Sequence, residues 1–253
     1  MIIRDPENER IDELNDRGYK IIQNKKGFRF GLDSVLLTAF AIVREGEKCL
    51  DLGTGTGVIP LLLEAKTAGA SFTGLEIQES VAEMAKRSVK LNGLEEKVNI
   101  ITGDIKEAAA LFPGRPFDVV TSNPPYMTVK EGLISGSDTK AISRTEIKCT
   151  LSDVVRAAAA VLKDHGRFYM VHRPSRLTEI TSAMTEFGFS VRNIRFVYPK
   201  ADQECNLLLI EGIWRGKTQC RVEKPCIVFD DEGKYTKEMD DIYFHEVLMN
   251  HER

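Results

Sequence analysis

The fold of this chain is predicted most directly by one segment, Lys48-Cys49-Leu50-Asp51-Leu52-Gly53-Thr54-Gly55-Thr56-Gly57. Its first half is short and apolar and predicts a buried strand, and its second half is a glycine run. Val58 to Leu63 then predict a helix. Glycines let the backbone approach a ligand closely, and the amides of the following helix point at that ligand. Because a tight turn also needs glycine, the segment alone indicates an α/β unit and leaves the ligand open.

The next strand and helix strengthen the case for a ligand. Ser71 to Glu76 predict a second strand, which places Glu76 at its carboxyl end. An acid at this place, at about this distance after the first strand, is the expected partner of ribose hydroxyls in a Rossmann-like site. The alternative is that Glu76 caps the helix from Gln78 to Leu91. The ribose role is favoured, since the glycine loop and the acid occur together and in order.

Val98 to Ile101 predict a third strand, which leads to Asp104. Asp104 is placed either to contact a nucleobase edge or to cap the short helix 105–111, and the two roles are compatible. The ligand of an open parallel sheet lies at the carboxyl ends of the strands. The glycine loop, Glu76 and Asp104 are therefore expected to converge on one crevice.

Phe117 to Val120 predict a fourth strand, and it ends at an unusual tetrad, Asn123-Pro124-Pro125-Tyr126. The asparagine side chain offers a carbonyl oxygen. Prolines carry no N–H, so the backbone carbonyls beside them lack some of their usual partners. Tyr126 adds a flat ring. Two acceptors beside a stacking face suit a planar amine, and the topology brings the tetrad to the same crevice.

The remaining elements predict an α/β sheet that is mostly parallel, with one antiparallel strand near its edge. Phe189–Tyr198 and Asn206–Ile210 form the antiparallel pair, because only a short connection separates them. We expect three parts: residues 1–45, an N-terminal hairpin and helix packed on the core; residues 46–213, the core; and residues 214–253, a C-terminal extension. In the first part the hairpin is expected to pair Tyr19–Gln23 with Phe28–Phe30, and Asp33 or Ser34 to cap the helix.

The composition is that of an ordinary globular protein. The chain has 253 residues, of which 42% are hydrophobic and 29% charged, and a net charge of −3, so any basic face has to be local. No apolar run approaches the roughly 18 residues of a membrane span, and the N-terminus lacks a signal-peptide layout. We expect a cytoplasmic location and no membrane partner. The five scattered cysteines predict reduced thiols and no metal site.

These motifs resemble the successive motifs of class I S-adenosylmethionine-dependent methyltransferases, whose sheet is Rossmann-like and seven-stranded with the last strand antiparallel. Asn123-Pro-Pro-Tyr126 is similar to the tetrad of members that methylate an exocyclic or amide nitrogen. Phe30–Phe40 and Gly233–Glu238 resemble segments of the bacterial valine-tRNA adenine-N6 methyltransferases, which are of the methyltransferase small-domain type.

The resemblance implies that a methyl group passes from S-adenosyl-L-methionine to N6 of the adenine 3′ of the anticodon in a valine tRNA, with S-adenosyl-L-homocysteine as product. It implies that Asn123 and the Pro124 carbonyl hold the amine and that Tyr126 stacks on the base. Asp33 is expected at the methionine amino group or in a nearby structural bond. The predicted cofactor-binding residues are Asp51, Gly53, Thr54, Gly55, Gly57, Glu76, Ile77, Asp104, Ile105, Asn123 and Asp33.

Four alternatives stay open. The first is a methyltransferase of a release-factor glutamine, whose amide presents the same NH₂ group. Enzymes of that family usually carry a larger helical domain ahead of the glycine loop, and the 52 residues before the loop in this sequence argue against it. An amino-methyltransferase of ribosomal RNA or DNA is the second. An inactive cofactor-binding scaffold is the third, although the intact tetrad argues against it. A dehydrogenase is the fourth, although the spacing of the glycines departs from G-x-G-x-x-G.

Contact with RNA is expected from a single basic face, and oligomerisation is not, so a monomer is favoured. Residues 127–150 are long for a loop inside a domain and are expected to act as a lid or substrate clamp. The alternative is that both the loop and the basic side chains are merely solvated. The predicted basic face consists of Lys20, Lys25, Lys26, Arg29, Lys130, Lys140, Arg144, Lys148, Arg173 and Arg176.

Overall fold

The parallel strands of the core are ordered so that the glycine loop lies near the middle of one sheet. A computed structural model describes residues 3–15, 17–25, 31–126, 149–217 and 219–243. The strands are β1 (Glu9–Glu13), β2 (Lys20–Asn24), β3 (Lys48–Leu52), β4 (Ser71–Glu76), β5 (Val98–Thr102), β6 (Phe117–Ser122), β7 (Leu162–His172), β8 (Phe189–Tyr198), β9 (Leu207–Trp214), β10 (Arg221–Val222) and β11 (Cys226–Ile227). The helices are α1 (Leu32–Phe40), α2 (Val58–Lys66), α3 (Glu79–Leu91), α4 (Ala108–Leu111), α5 (Leu151–Val161), α6 (Leu177–Glu186) and α7 (Lys237–Tyr243).

The main sheet has nine strands, in the order β10-β8-β9-β7-β6-β3-β4-β5, with β11 also paired to β8. Strands β3 to β7 are parallel to their neighbours within this group, and β9 runs antiparallel to both β7 and β8. The predicted mostly parallel α/β sheet is therefore confirmed. The predicted count of seven is wrong, because the two-residue strands β10 and β11 come from the C-terminal part and pair with the outer side of β8. They occupy an edge that would otherwise present unpaired backbone groups.

Helices cover both faces of the sheet, and β3 shows how its sequence serves both. Cys49 belongs to the apolar cluster that includes α1, α2 and α3, whereas Leu50 and Leu52 belong to the cluster that includes α5 and α6. Successive side chains of a strand point to opposite faces, so a continuous apolar run is what a sheet buried on both sides requires. Leu50 and Leu52 are fully buried, and each contributes roughly 1.5–3 kcal/mol.

The N-terminal part is built differently from the prediction. Strand β2 pairs with the preceding strand β1, which the sequence interpretation missed, and the predicted return arm 28–30 lies outside the described residues. The hairpin docks on α3, where Ser88 Oγ accepts a hydrogen bond from the Ile22 amide at 2.9 Å. The predicted capping is wrong. Gly31 is the N-cap of α1, so Asp33 and Ser34 lie inside its first turn, where the helix dipole favours a carboxylate.

The C-terminal part returns to the core. Val228 and Met239 are buried in the same apolar cluster as α1, and Arg195 of β8 forms an ion pair with Glu238. The rings of Phe229, Tyr235 and Tyr243 stack in sequence at 5.2 and 5.5 Å. Across the described ranges, no helix is long and apolar enough to cross a membrane.

Candidate active site

The parallel strands end level with one another at the predicted crevice. Leu52 pairs with Leu75 on one side and with Ser122 on the other, and Glu76 pairs with Thr102. The residues that follow these strands all emerge at the carboxyl ends of the parallel strands. The structure thus brings together the glycine loop, Glu76, the Asp104 turn and the tetrad, as the topology of the sequence predicts.

Glu76 ties the glycine loop to the start of α3. Its side chain is 5% exposed, Oε2 accepts a hydrogen bond from the Gly55 amide at 3.0 Å, and Oε1 accepts one from the Gln78 amide at 2.8 Å. The Gln78 side-chain amide donates a third, longer hydrogen bond to Oε1 at 3.4 Å, and because a carboxylate has about four lone-pair sites, one on Oε2 remains for a hydroxyl donor. Gly55 has φ of 57°, and a β-carbon there would meet no atom within 4 Å. The loop therefore leaves room for a ligand directly beside an oriented carboxylate.

Asp51 is a buried carboxyl with one unused oxygen. Its side chain is 1% exposed, and Oδ1 accepts a hydrogen bond from the Thr121 hydroxyl at 2.8 Å. Burial raises the pKa of this carboxyl to about 7, and the Thr54 and Thr121 hydroxyls act in the opposite direction. Within the described part of the chain, Asp51 Oδ2 and Thr54 Oγ1 have no hydrogen-bond partner of acceptable geometry. A cationic donor fits this arrangement, because it would satisfy the free oxygen and favour the ionised form.

Asp104 and the two isoleucines lie on the other side of the glycine loop. Asp104 Oδ1 accepts a hydrogen bond from the Lys106 amide at 2.9 Å, which confirms the capping role. The Ile105 side chain reaches to within 3.7 Å of the position that a β-carbon on Gly53 would occupy. Ile77 follows Glu76 and is half-buried. Apolar side chains beside oriented carboxylates are typical of a site for a ring carried on a ribose.

The tetrad is held by α1, which precedes the glycine loop in sequence. Asn123 Nδ2 donates to Ser34 Oγ at 3.1 Å, and Ser34 is 2% exposed. The Tyr126 hydroxyl lies 2.8 Å from Asp33 Oδ2 and 2.7 Å from Asn123 Oδ1. A phenol has one proton and cannot satisfy both acceptors. An amide oxygen carries two lone pairs, so Asn123 Oδ1 keeps at least one for another donor whichever acceptor takes the phenol proton.

The last residue of β7 and the residue after it flank the Tyr126 ring. His172 packs against it at a centroid distance of 5.2 Å and an angle of 61°, and the Arg173 guanidinium lies 5.1 Å above it. Burial and the charge of Asp33 raise the pKa of Tyr126 far above its ordinary value, so the phenol stays protonated. Burial, and then the charge of Arg176, lower the pKa of His172 to about 4. His172 Nδ1 accepts from the Arg173 amide at 2.8 Å, so a neutral ring carries its proton on Nε2.

Three residues of this site escaped the sequence interpretation: Ser34, Thr121 and His172. Thr121 had a usable signal, since it lies opposite Asp51 in the register of two strands that were both predicted. Ser34 had a weaker one, its position beside Asp33. The expected lid at 127–150 lies outside the described residues except for its last two, so the lid and the basic face both stay predictions. The members of the basic face that also lie outside are Lys26, Arg29, Lys130, Lys140, Arg144 and Lys148.

Comparison with known families agrees with this geometry. Residues 32–191, more than half of the chain, match the profile of the methyltransferase small domain. The chain belongs to this methyltransferase family. It is therefore a methyltransferase, and the match begins at α1, the helix that holds the tetrad.

Individual relatives support the family and the fold. A Bacteroides thetaiotaomicron protein named tRNA1(Val) (adenine(37)-N6)-methyltransferase is 29% identical over 172 residues, which are 67% of this chain and 70% of that protein. A protein of the same name from Aeromonas hydrophila is 22% identical over 86% of this chain and 89% of its own. The crystal structure of a predicted O-methyltransferase from Agrobacterium tumefaciens has a TM-score of 0.69 at 21% identity, over 83% of this chain and 95% of that one. This last likeness concerns the fold alone.

Proposed function

We propose that this methyltransferase transfers the methyl group of S-adenosyl-L-methionine to the N6 amine of an adenine in tRNA, namely the adenine 3′ of the anticodon in a valine tRNA. The observation that carries the proposal is the Asn123 amide, whose Nδ2 is held by Ser34 Oγ and whose Oδ1 has a lone pair left for an amine; the Pro124 carbonyl is proposed as the second acceptor. The tRNA and the position are proposed from the names of the relatives. The aligned region spans 70% of the Bacteroides protein and 89% of the Aeromonas protein.

The cofactor half of the crevice consists of the carboxyl ends of β3, β4 and β5 and the turns that follow them, and its residues fit S-adenosylmethionine. Asp51 Oδ2, buried and unpaired among the described residues, is suited to the methionine ammonium. The amides and open space of the loop from Gly53 to Gly57 suit the methionine carboxylate and chain. Glu76 has a lone pair left on Oε2 for a ribose hydroxyl, and Asp104 with Ile77 and Ile105 would surround the adenine. When bound, the cofactor supplies a methyl group already activated by a sulfonium.

The acceptor amine needs help of a different kind. The lone pair of an adenine amino group is delocalised into the ring, so the nitrogen is a poor nucleophile. Two hydrogen bonds, from its N–H groups to Asn123 Oδ1 and to the Pro124 carbonyl, favour a pyramidal nitrogen whose lone pair points at the methyl group. Catalysis of this kind rests on position and electrostatics rather than on a strong base. Tyr126 would stack on the base through the ring face that Arg173 does not cover. Splaying the base out of the loop costs a few kcal/mol.

Purified protein and transcribed RNA test this function. Labelled cofactor is incubated with valine tRNA, with the same tRNA carrying a purine without the 6-amino group at the target position, with ribosomal RNA and with a release factor. The expected result is label in the unmodified valine tRNA only, recovered as N6-methyladenosine. Label in the amine-free tRNA would show another target atom. Label in ribosomal RNA or in the release factor, with none in tRNA, would show that the labelled molecule is the substrate and that tRNA is not.

A further inference from the structure

A second concave site opens beside the tetrad. It is a cavity of about 650 Å³ at the carboxyl ends of β7 and β8. Arg173 to Ser175 form one wall, Tyr198 forms another, and Glu204 to Asn206 before β9 close it. Strand β7 lies next to β6, which leads to the tetrad, on the side away from β3, β4 and β5, so the cavity lies on the acceptor side of the sheet.

Arg173 connects this cavity to the catalytic tetrad. Its Nη1 donates to the Asn206 carbonyl at 3.0 Å, and its guanidinium lies 5.1 Å above the ring of Tyr126. Arg173 is exposed, and no carboxylate among the described residues lies within ion-pair distance of it. Arg176, three residues later, is paired with Glu179 at 2.6 Å. Arg173 therefore offers an anchored guanidinium whose charge is available to an anion.

We propose that this cavity binds the nucleotide adjoining the methylated adenine, with its phosphate on Arg173 and its base against Tyr198. The inference rests on the proposed function, because it places the cavity one nucleotide from the amine held by Asn123. A planar guanidinium is well suited to phosphate, and an aromatic ring beside it gives a stacking platform for single-stranded bases. RNA enzymes read unpaired loops in this way.

The rest of the lining argues for a nucleotide rather than a free anion. Glu204 also lines the cavity, so a bound phosphate has to lie on the Arg173 side, and a free phosphate would leave the carboxylate without a donor. The same carboxylate can accept a hydrogen bond from the amino or imino group of a base. One cation, one aromatic ring and one acceptor together match a phosphate, a base face and a base edge.

Salt dependence tests the phosphate contact. The probe is a fluorescent RNA stem-loop with the anticodon loop of a valine tRNA, and binding is measured across a series of salt concentrations for wild type, Arg173→Gln and Arg215→Gln. Arg215 is a matched control, since its exposed guanidinium also packs on an aromatic ring, Trp214, but it follows β9 at the opposite edge of the sheet. One phosphate contact on a single strand changes the slope of log K against log salt by about 0.7. Arg173→Gln is expected to lose about that much slope and about tenfold in affinity, whereas Arg215→Gln is expected to lose neither.

Abasic nucleotides test the base contact. Tyr198→Leu is expected to weaken binding about 5- to 100-fold, and Tyr198→Phe, which keeps the ring, to have little effect. Removal of the base next to the target adenine should abolish the difference between wild type and Tyr198→Leu, as a double-mutant cycle shows for groups in contact. Removal of more distant bases should leave the difference in affinity between wild type and Tyr198→Leu unchanged.

The outcomes separate the inference from the proposed function. If wild type methylates the RNA, but Arg173→Gln keeps the wild-type salt slope and no abasic position couples to Tyr198, the cavity proposal is wrong and the function stands. If wild type neither binds nor methylates any RNA, both are wrong. Loss of slope in Arg173→Gln alone, with coupling confined to the adjoining base, supports the inference.

Discussion

The two halves of the crevice are built in different ways. The cofactor half consists of β3, β4, β5 and the turns that follow them, and its hydrogen bonds join neighbouring strands, as between Glu76 and the amides of Gly55 and Gln78. The acceptor half depends on side chains from distant parts of the chain, with Asp33 and Ser34 holding Tyr126 and Asn123. The proposed cofactor site is thus formed by strands and turns that adjoin one another in the sheet, including the contact of Asp51 with Thr121, whereas the orientation of the Asn123 amide is set by a helix outside the sheet.

The largest expected effect separates the two halves. Asn123→Ala removes the amide acceptor, and loss of one oriented polar group of this kind costs about 10²–10³ in rate. Binding of S-adenosylhomocysteine should stay within about twofold of wild type, since we propose that the amide acts on the amine and not on the cofactor, although the sequence interpretation also places Asn123 among the cofactor-binding residues. Single-turnover rates and calorimetric titration measure the two quantities. Equal losses in the single-turnover rate and in the affinity for S-adenosylhomocysteine would contradict the division of the crevice into a cofactor half and an acceptor half.

Glu76→Ala is the converse test. It removes the predicted ribose acceptor and leaves the Gly55 and Gln78 amides without their partner, each such buried loss costing roughly 1–3 kcal/mol. We expect affinity for S-adenosylhomocysteine to fall about 100-fold and the free energy of unfolding to fall as well. Glu76→Gln, which keeps an acceptor oxygen, should retain most of the stability. A variant that loses stability but binds the cofactor normally would refute the ribose role.

The hydrogen bond from Asn123 to Ser34 of α1 predicts a smaller effect. Ser34→Ala frees the Asn123 amide to turn, so kcat is expected to fall about tenfold, a loss of about 1.4 kcal/mol, while the cofactor affinity is unchanged. Thr38→Val is the matched control, because its buried hydroxyl bonds within α1 to the Val35 carbonyl. Similar kcat values for the two variants would mean that α1 only supports the fold.

Near neutral pH, the smallest expected effect is a pH dependence of cofactor binding. An ammonium beside Asp51 requires the carboxylate, and the pKa of this group in the ligand-free protein is about 7. Affinity for S-adenosylhomocysteine should therefore rise with pH up to about 7, by at most tenfold per unit, and then level off. Asp51→Asn should bind more weakly with no such dependence. A pH-independent wild type would place the ammonium elsewhere.

The same group makes a linked prediction about stability. The folded pKa of Asp51 lies above its ordinary value of 3.8, so the folded state binds more protons between these two values. The contribution of Asp51 to the free energy of unfolding is then greatest below pH 4 and declines as pH rises towards 7. Asp51→Asn should remove this decline, which chemical denaturation at several pH values can measure.

The sequence predicted the positions of the strand-end residues far better than the contacts that hold the tetrad, for a physical reason. Alternation of apolar residues, glycines and strand-end acids are local patterns, and they placed Asp51, Glu76 and Asp104 correctly at one edge. Ser34 and Asn123 are separated by 89 residues, and no local pattern indicates that one bonds to the other. The strand count failed because β10 and β11 have two residues each, too few to show any period.

Methylation in the cell tests the central claim most directly. Transfer RNA from a strain lacking this protein is isolated after complementation with wild type or with Asn123→Ala, and its nucleosides are analysed by mass spectrometry. The account predicts N6-methyladenosine at the position 3′ of the anticodon of a valine tRNA with wild type, and its absence with Asn123→Ala. Unchanged N6-methyladenosine with Asn123→Ala would contradict the role of the tetrad, and its absence with wild type would contradict the proposed substrate.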